Sequence, residues 1–204
     1  MKKIPSLFSR DVSDPSILTR VPHPFSAWVF AGEGVATRKY DGTAVRWADG
    51  KLWARYDAKR GKPLPPEFVP CQDPDPITGH HPGWVPATRP EDKWIREAAS
   101  HGTRPDDKFI PVSTYYSCIS DGTYEACGPR IGGNPEGFPS HVLVKHGIDV
   151  LVDAPRDWDG LVGYFTTFNI EGIVWWRDLN DVDCDKVKIT GAALGIRRRG
   201  ASKS

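Results

Sequence analysis

Apolar and polar residues alternate along this chain more often than they recur at helical spacing, which favours strands over helices. The run "TAVRWADGKLWARY", residues 43–56, holds two alternating segments rich in β-formers that meet at Ala48-Asp49-Gly50, and it predicts a hairpin. Further strands are predicted at 108–119, at 123–127 and at 141–152, the last with apolar residues packed around Gly147. Near the C-terminal end, "IEGIVWWRD" and "DCDKVKITG" are two β-rich runs joined by an acidic, turn-prone segment around Asn180, the pattern of a second hairpin. Helical spacing recurs at Trp158, Leu161, Val162 and Phe165, so "DWDGLVGYFTTF" predicts a helix over 157–168 with Asp157 as its cap. A helix or short strand is expected at 93–100. Residues 62–90 hold too many prolines for a sheet interior and are expected to cross the surface as an ordered loop. With 19 prolines and 20 glycines breaking the chain, no long amphipathic helix survives, and the pattern predicts an α+β domain dominated by antiparallel strands.

Composition sharpens this only in places. A chain of 204 residues with 39% apolar content is expected to form one domain over 1–204. It contains no apolar run long enough for a membrane span, and its start is too polar and too soon broken by proline for a secretory signal, so a cytoplasmic protein without a membrane partner is expected. Cys71, Cys118, Cys127 and Cys184 form no CxxC pair and are expected to be reduced thiols. With 27 basic against 26 acidic residues, any nucleic-acid partner has to be held by a local patch rather than by a global field. The basic tail 196–204, with Arg197, Arg198, Arg199 and Lys203, is expected to be flexible and solvated, with phosphate contact as its other reading.

The candidate chemistry lies in three segments that put charge on strands otherwise expected to be buried: "KYDGT" at 39–43, "EGIVWW" at 171–176 and "KVK" at 186–188. Side chains alternate along a strand, so Lys186 and Lys188 share one face and Val187 points to the other. Two ammonium groups on one face repel each other unless an anion sits between them, and phosphate is the natural candidate. Each segment alone has a plain reading, as hairpin closure, a surface glutamate or a solvated face. Their order along the chain is what raises them above it. A second Asp-Gly-Thr, at 121–123, acts as an internal control, because Ile119 stands where Lys39 stands ahead of Asp41.

A lysine turn, a Glu-Gly strand far downstream and a Lys-x-Lys strand soon after it resemble the covalent nucleotidyltransferases, the superfamily of ATP-dependent DNA and RNA ligases and mRNA-capping guanylyltransferases. The segments "KLWARYD", "HHPGWVP", "YEACGPRIGGNPEG", "HVLVKHG", "IEGIVWW" and the Leu194-Gly195 ending look, in order, like the ATP-dependent 5′-to-3′ RNA ligases first recognised in vertebrates, from about Lys39 to Gly195. The resemblance implies an antiparallel-sheet adenylation domain of the DNA/RNA ligase type, and with nine residues after Gly195 no OB-fold domain of the kind that follows the Lys-x-Lys strand in capping enzymes and most DNA ligases is expected. It makes Lys39 the nucleophile that forms a lysyl-AMP, with Asp41 and Gly42 completing the K-x-D-G element beside the nucleotide. It gives Arg55 to the ribose or phosphates, Glu125 to the ribose, Glu171 to the metal, and Lys186 and Lys188 to the phosphates. Lys188 carries over more directly than Lys186, because the pair is less regular in that family, whose members are also longer than this chain. The implied activity is ATP-dependent joining of 5′-phosphate and 3′-hydroxyl RNA ends with Mg²⁺ or Mn²⁺.

Arg130, Lys145, Trp175 and Trp176 are available to contact RNA phosphates and bases, although buried tryptophans are usually core. The alternatives are a capping-type enzyme using GTP, a non-catalytic nucleotide- or RNA-binding module, and a protein AMPylase. His80 and His81 lack a third metal ligand at useful spacing. The alternating Asp181, Asp183 and Asp185 resemble part of a calcium loop, but Lys186 stands where such a loop needs glycine.

Overall fold

Strand-forming runs become strands through most of the chain, and the computed structural model describes them over residues 1–15, 17–101, 119–181 and 183–198. In chain order these are β1 (Phe8–Arg10), β2 (Leu18–Pro22), α1 (Ala27–Phe30), β3 (Val35–Lys39), β4 (Thr43–Ala48), β5 (Lys51–Ala58), β6 (Val69–Pro70), β7 (His81–Pro86), α2 (Lys93–Ser100), β8 (Gly122–Cys127), β9 (Val142–Lys145), α3 (Trp158–Thr167), β10 (Gly172–Trp176) and β11 (Lys186–Thr190). Antiparallel sheets with few helices make this an α+β protein. Among the described residues no helix is long and apolar enough to cross a membrane. The predicted strand at 108–119 falls almost wholly outside the described residues.

The described chain divides into two compact units, one formed chiefly by residues 1–3 and 41–146, the other by 4–40 and the part of the chain from 147 onward. The first unit is built on a six-stranded sheet in the order β6-β7-β5-β4-β8-β9. Its β4–β5 hairpin turns at Asp49 and Gly50, both with positive φ (51° and 70°), the mirror-image turn that suits the twist of paired strands. On one face Val45, Ala54, Val85, Tyr124 and Leu143 pack against Ile95, Ala98 and Ala99 of α2.

The proline-rich region departs from the expected surface loop. β7 lies between β6 and β5, with Trp84 and Val85 buried. The sheet tolerates its prolines because residues of one parity direct their backbone groups to one side. The Pro82 carbonyl accepts from Cys71 N–H, so the missing Pro82 N–H faces the two-residue edge strand β6, while Ala87 N–H donates to Leu52 O beside β5. The region 141–152 also differs from a single strand. β9 stops at Lys145, the chain turns at Gly147 with φ +85°, and Val150 makes only an isolated bridge to Thr37.

The second unit holds a three-stranded sheet in the order β11-β10-β3, the two-stranded pair β1-β2, and helices α1 and α3. Ser6 adds a parallel bridge to Lys188 at the outer side of β11. α3 starts as predicted, with Asp157 Oδ1 accepting from Gly160 N–H at 2.9 Å. Ala36, Ile173, Trp175, Val187 and Ile189 line one face of the sheet and form the core with Leu7, Phe8, Val29, Leu161 and Phe165.

Candidate functional site

Strand register places three lysines together on the other face of the β11-β10-β3 sheet. Gly172 is paired with Lys39 on one side and Thr190 on the other, Val174 with Thr37 and Lys188, and Trp176 with Val35 and Lys186. Directly paired residues share a face, so Lys39, Lys186 and Lys188 lie on the face opposite the core, and Val187 points into the core as its alternation requires. Gly172 is the smallest possible spacer in that row. A Cβ there would stand 2.4 Å from the Ile189 carbonyl oxygen, too close for any side chain while β10 and β11 stay paired.

Lys39 ends β3, and its Nζ lies 2.5 Å from Glu171 Oε2, with each side chain about one-quarter exposed. Glu171 immediately precedes the Gly172 that faces Lys39, so the strand pairing itself brings the ion pair together. Lys186 is buried, its Nζ is 4.4 Å from the centre of the Trp176 ring, and it donates to Cys184 O at 3.3 Å. Burial lowers its pKa, against the opposing pull of Cys184 and of Asp183, Asp181 and Asp185. The Trp176 indole N–H donates to Thr37 Oγ1 at 2.9 Å, which fixes the ring beneath Lys186.

The residue between Lys39 and Asp41 is an anchor. The Tyr40 hydroxyl donates to the Asp149 carboxylate, the Arg38 guanidinium lies 4.5 Å over the Tyr40 ring, and Arg38 N–H donates to Asp149 O. Tyr40 is buried, so the strand end that carries Lys39 is held from its neighbouring residue.

Asp41 and Gly42 do not close a hairpin. β3 pairs with β10, whereas β4 pairs with β5 and β8, so this dipeptide carries the chain from one sheet to the other. Gly42 has no left-handed φ; its requirement is space. A Cβ at Gly42 would lie 2.2 Å from Ala126 O and 2.9 Å from Cys127 Sγ. Asp41 N–H donates to Glu136 Oε1 at 2.9 Å, which ties the dipeptide to the loop after β8.

Arg55 and Glu125 share the second face of the six-stranded sheet, away from its core. Glu125 on β8 is paired with Ala44 on β4, and Ala44 and Arg55 flank the paired Val45 and Ala54. Only the methyl of Ala44 separates them in that row. Arg55 lies 5.2 Å over the Trp84 ring and donates to Met1 O at 2.7 Å and to Cys71 Sγ at 3.1 Å. It also lines a cleft of about 170 Å³ with Lys3, Asp57, Gln72, Asp75 and His80. Glu125 is buried, and its Oε2 is 2.9 Å from His146 Nε2.

Several expected contacts change. Trp175 lies in the core and Trp176 is buried under Lys186, so neither is free to stack on RNA bases, while Arg130 and Lys145 are exposed. His80 Nδ1 is paired with Asp57 Oδ2 at 2.6 Å, and no three His, Cys, Asp or Glu side chains among the described residues form a metal cluster. In the tail Arg198 reaches Asn169 O at 3.4 Å, and Arg199 and Lys203 lie outside the described residues. Sequence reasoning missed Glu136, His146 and the Asp149 partner of Tyr40. No local pattern marks them, since their partners are 95, 21 and 109 positions away along the chain. No family model and no curated protein matches the chain.

Proposed function

We propose that this protein is an ATP-dependent RNA ligase with a nucleotidyltransferase-type adenylation fold, in which Lys39 carries AMP. The observation that carries the reading is the lysine face: Lys39, paired at 2.5 Å with Glu171, lies on the same face of one sheet as Lys188 and Lys186. Three cations on one face, one of them met by a carboxylate, suit a polyphosphate better than they suit packing.

The Lys39 ammonium has no lone pair and must release a proton before it can react. Glu171 Oε2 is within hydrogen-bond reach to receive that proton. The Lys39 nitrogen then forms a bond to the α-phosphorus of ATP as the bond to the β-phosphate oxygen breaks, giving a phosphoramidate and pyrophosphate. Lys188 and Lys186 neutralise charge that builds on the phosphates, a role that is strongest where water is excluded. AMP passes next to the 5′-phosphate of an RNA end, and attack by a 3′-hydroxyl releases AMP and seals the strand. Glu125 accepts from ribose hydroxyls, and Arg55 binds the ribose or phosphates.

A single carboxylate suits Mg²⁺ or Mn²⁺ that arrives with a nucleotide, because such ions keep several waters and take further oxygens from phosphate. Glu171 would hold the ion, which when bound supplies Lewis-acid stabilisation of phosphate charge.

The test is intact mass after incubation with ATP and Mg²⁺, beside GTP and beside Lys39→Ala. The expected result is the mass of one adenylyl group, with ATP and only with Lys39 present, followed by joining of 5′-phosphate to 3′-hydroxyl RNA ends. A guanylyl adduct would transfer the reading to capping chemistry. No adduct, in protein shown to start unmodified, would overturn it in favour of a binding module.

A further inference from the structure

Glu125 does not stand alone on its strand. His146 Nε2 lies 2.9 Å from Glu125 Oε2, and His146 Nδ1 lies 3.0 Å from the hydroxyl of Thr123, two residues earlier on β8. His146 N–H also donates to Thr123 O at 3.1 Å, which fixes the backbone beneath the ring. An ionised carboxylate only accepts, so the hydrogen between His146 and Glu125 sits on Nε2. Thr123 then satisfies Nδ1, either donating to the neutral ring or accepting from the charged one. The Glu125 and His146 side chains are 10% and 19% exposed, so water competes little for this chain of contacts. Glu125 Oε1 makes no hydrogen bond to a described residue. One carboxylate oxygen is therefore locked and the other is presented.

We infer that His146 is a positioning residue that, with Thr123, fixes Glu125 so that one oxygen is held ready for a nucleotide's ribose hydroxyls. This rests on the assignment of Glu125 to the ribose in the proposed function. It makes the His146 pair a selector for nucleotides that carry sugar hydroxyls. The device acts through carboxylate orientation, so its loss should remove discrimination on the sugar without weakening contacts to the phosphates or base.

The experiment compares binding of ATP and 2′,3′-dideoxyATP by calorimetry, in wild type, His146→Ala, His146→Gln, Thr123→Val and Glu125→Gln, with thermal melting of each. Wild type is expected to prefer ATP. Loss of a hydrogen bond to a charged group corresponds to about a ten-fold change, so His146→Ala should weaken ATP by about that factor and leave the dideoxy analogue within about two-fold. His146→Gln, which keeps an N–H donor, should restore most of the preference, and Thr123→Val should cost about three-fold. Adding His146→Ala to Glu125→Gln should cost no further discrimination.

Equal losses for both nucleotides in His146→Ala, or a lowered melting temperature with discrimination intact, would overturn the inference. So would a wild type that binds the two nucleotides equally or binds neither. Preference for ATP that depends on His146, in a protein that forms no lysyl adduct, would sink the ligase reading and leave this inference standing.

Discussion

Asp41-Gly42-Thr43 and Asp121-Gly122-Thr123 spell the same three residues at the starts of β4 and β8, and these strands pair with each other. Their surroundings differ in kind. Gly42 is pressed against Ala126 O and Cys127 Sγ with no room for a Cβ, whereas the nearest atom to a Cβ at Gly122 would be 3.8 Å away, and what asks for glycine there is a φ of +156°. Ahead of the first triplet come Lys39, ion-paired with Glu171, and the buried Tyr40; ahead of the second come Ile119, a core residue, and Ser120, beside the Tyr124 hydroxyl. The triplet is a way to begin a strand. The candidate chemistry comes from the strand before it and that strand's partner β10.

The largest test of this contrast is Lys39→Arg. Arginine keeps the charge that pairs with Glu171 but is not deprotonated in proteins, so the adduct should fall below detection by intact mass while circular dichroism stays native. Next comes the glycine pair. Gly42→Ala should lower unfolding free energy by about 3 kcal/mol through overpacking, and Gly122→Ala by about 1 kcal/mol through backbone strain, both read by urea denaturation. Equal effects would erase the distinction between space and conformation.

Lys188→Met should slow adduct formation about 10²-fold, the scale seen when one donor to developing phosphate or oxyanion charge is removed. Tyr40→Phe should cost about 1.5 kcal/mol of stability by taking the hydroxyl from Asp149. The smallest effect concerns Lys186, whose pKa is lowered chiefly by burial. The unfolded chain binds that proton more tightly, so wild-type stability should gain as pH rises toward the ordinary lysine value of about 10.4, and Lys186→Met should lack that gain. Urea midpoints of the two proteins across the alkaline range read this difference.

The elements legible in the sequence were those with local punctuation. The β4–β5 turn needs positive φ at Asp49 and Gly50, α3 needs the Asp157 cap, and the β10–β11 runs alternate between core and lysine face. β7 was not legible, because prolines weigh against a strand unless the side their missing N–H faces is known, and that depends on the distant β6. The plain reading of the lysine turn as hairpin closure fails for a similar reason. Proximity in sequence favours pairing β3 with β4, yet the partners of β3 come from residues 172–176 and Val150. Of the candidate residues, Lys39, Lys186 and Lys188 stand out in the sequence by order and alternation. Glu136 and His146, which contact Asp41 and Glu125, do not, since a side chain that reaches across a loop leaves no periodic trace.

The close contact between Cys127 and Gly42 has a kinetic consequence. Cys127 is buried and sits where any Gly42 side chain would be, while the other described thiols, Cys71 and Cys184, are only half-buried. In a protein whose other cysteines are replaced by serine, a thiol reagent can reach Cys127 only when the β4–β8 entrance parts. The labelling rate then clocks how often the Asp41-Gly42 segment opens, and a bound nucleotide that steadies this segment would slow the clock.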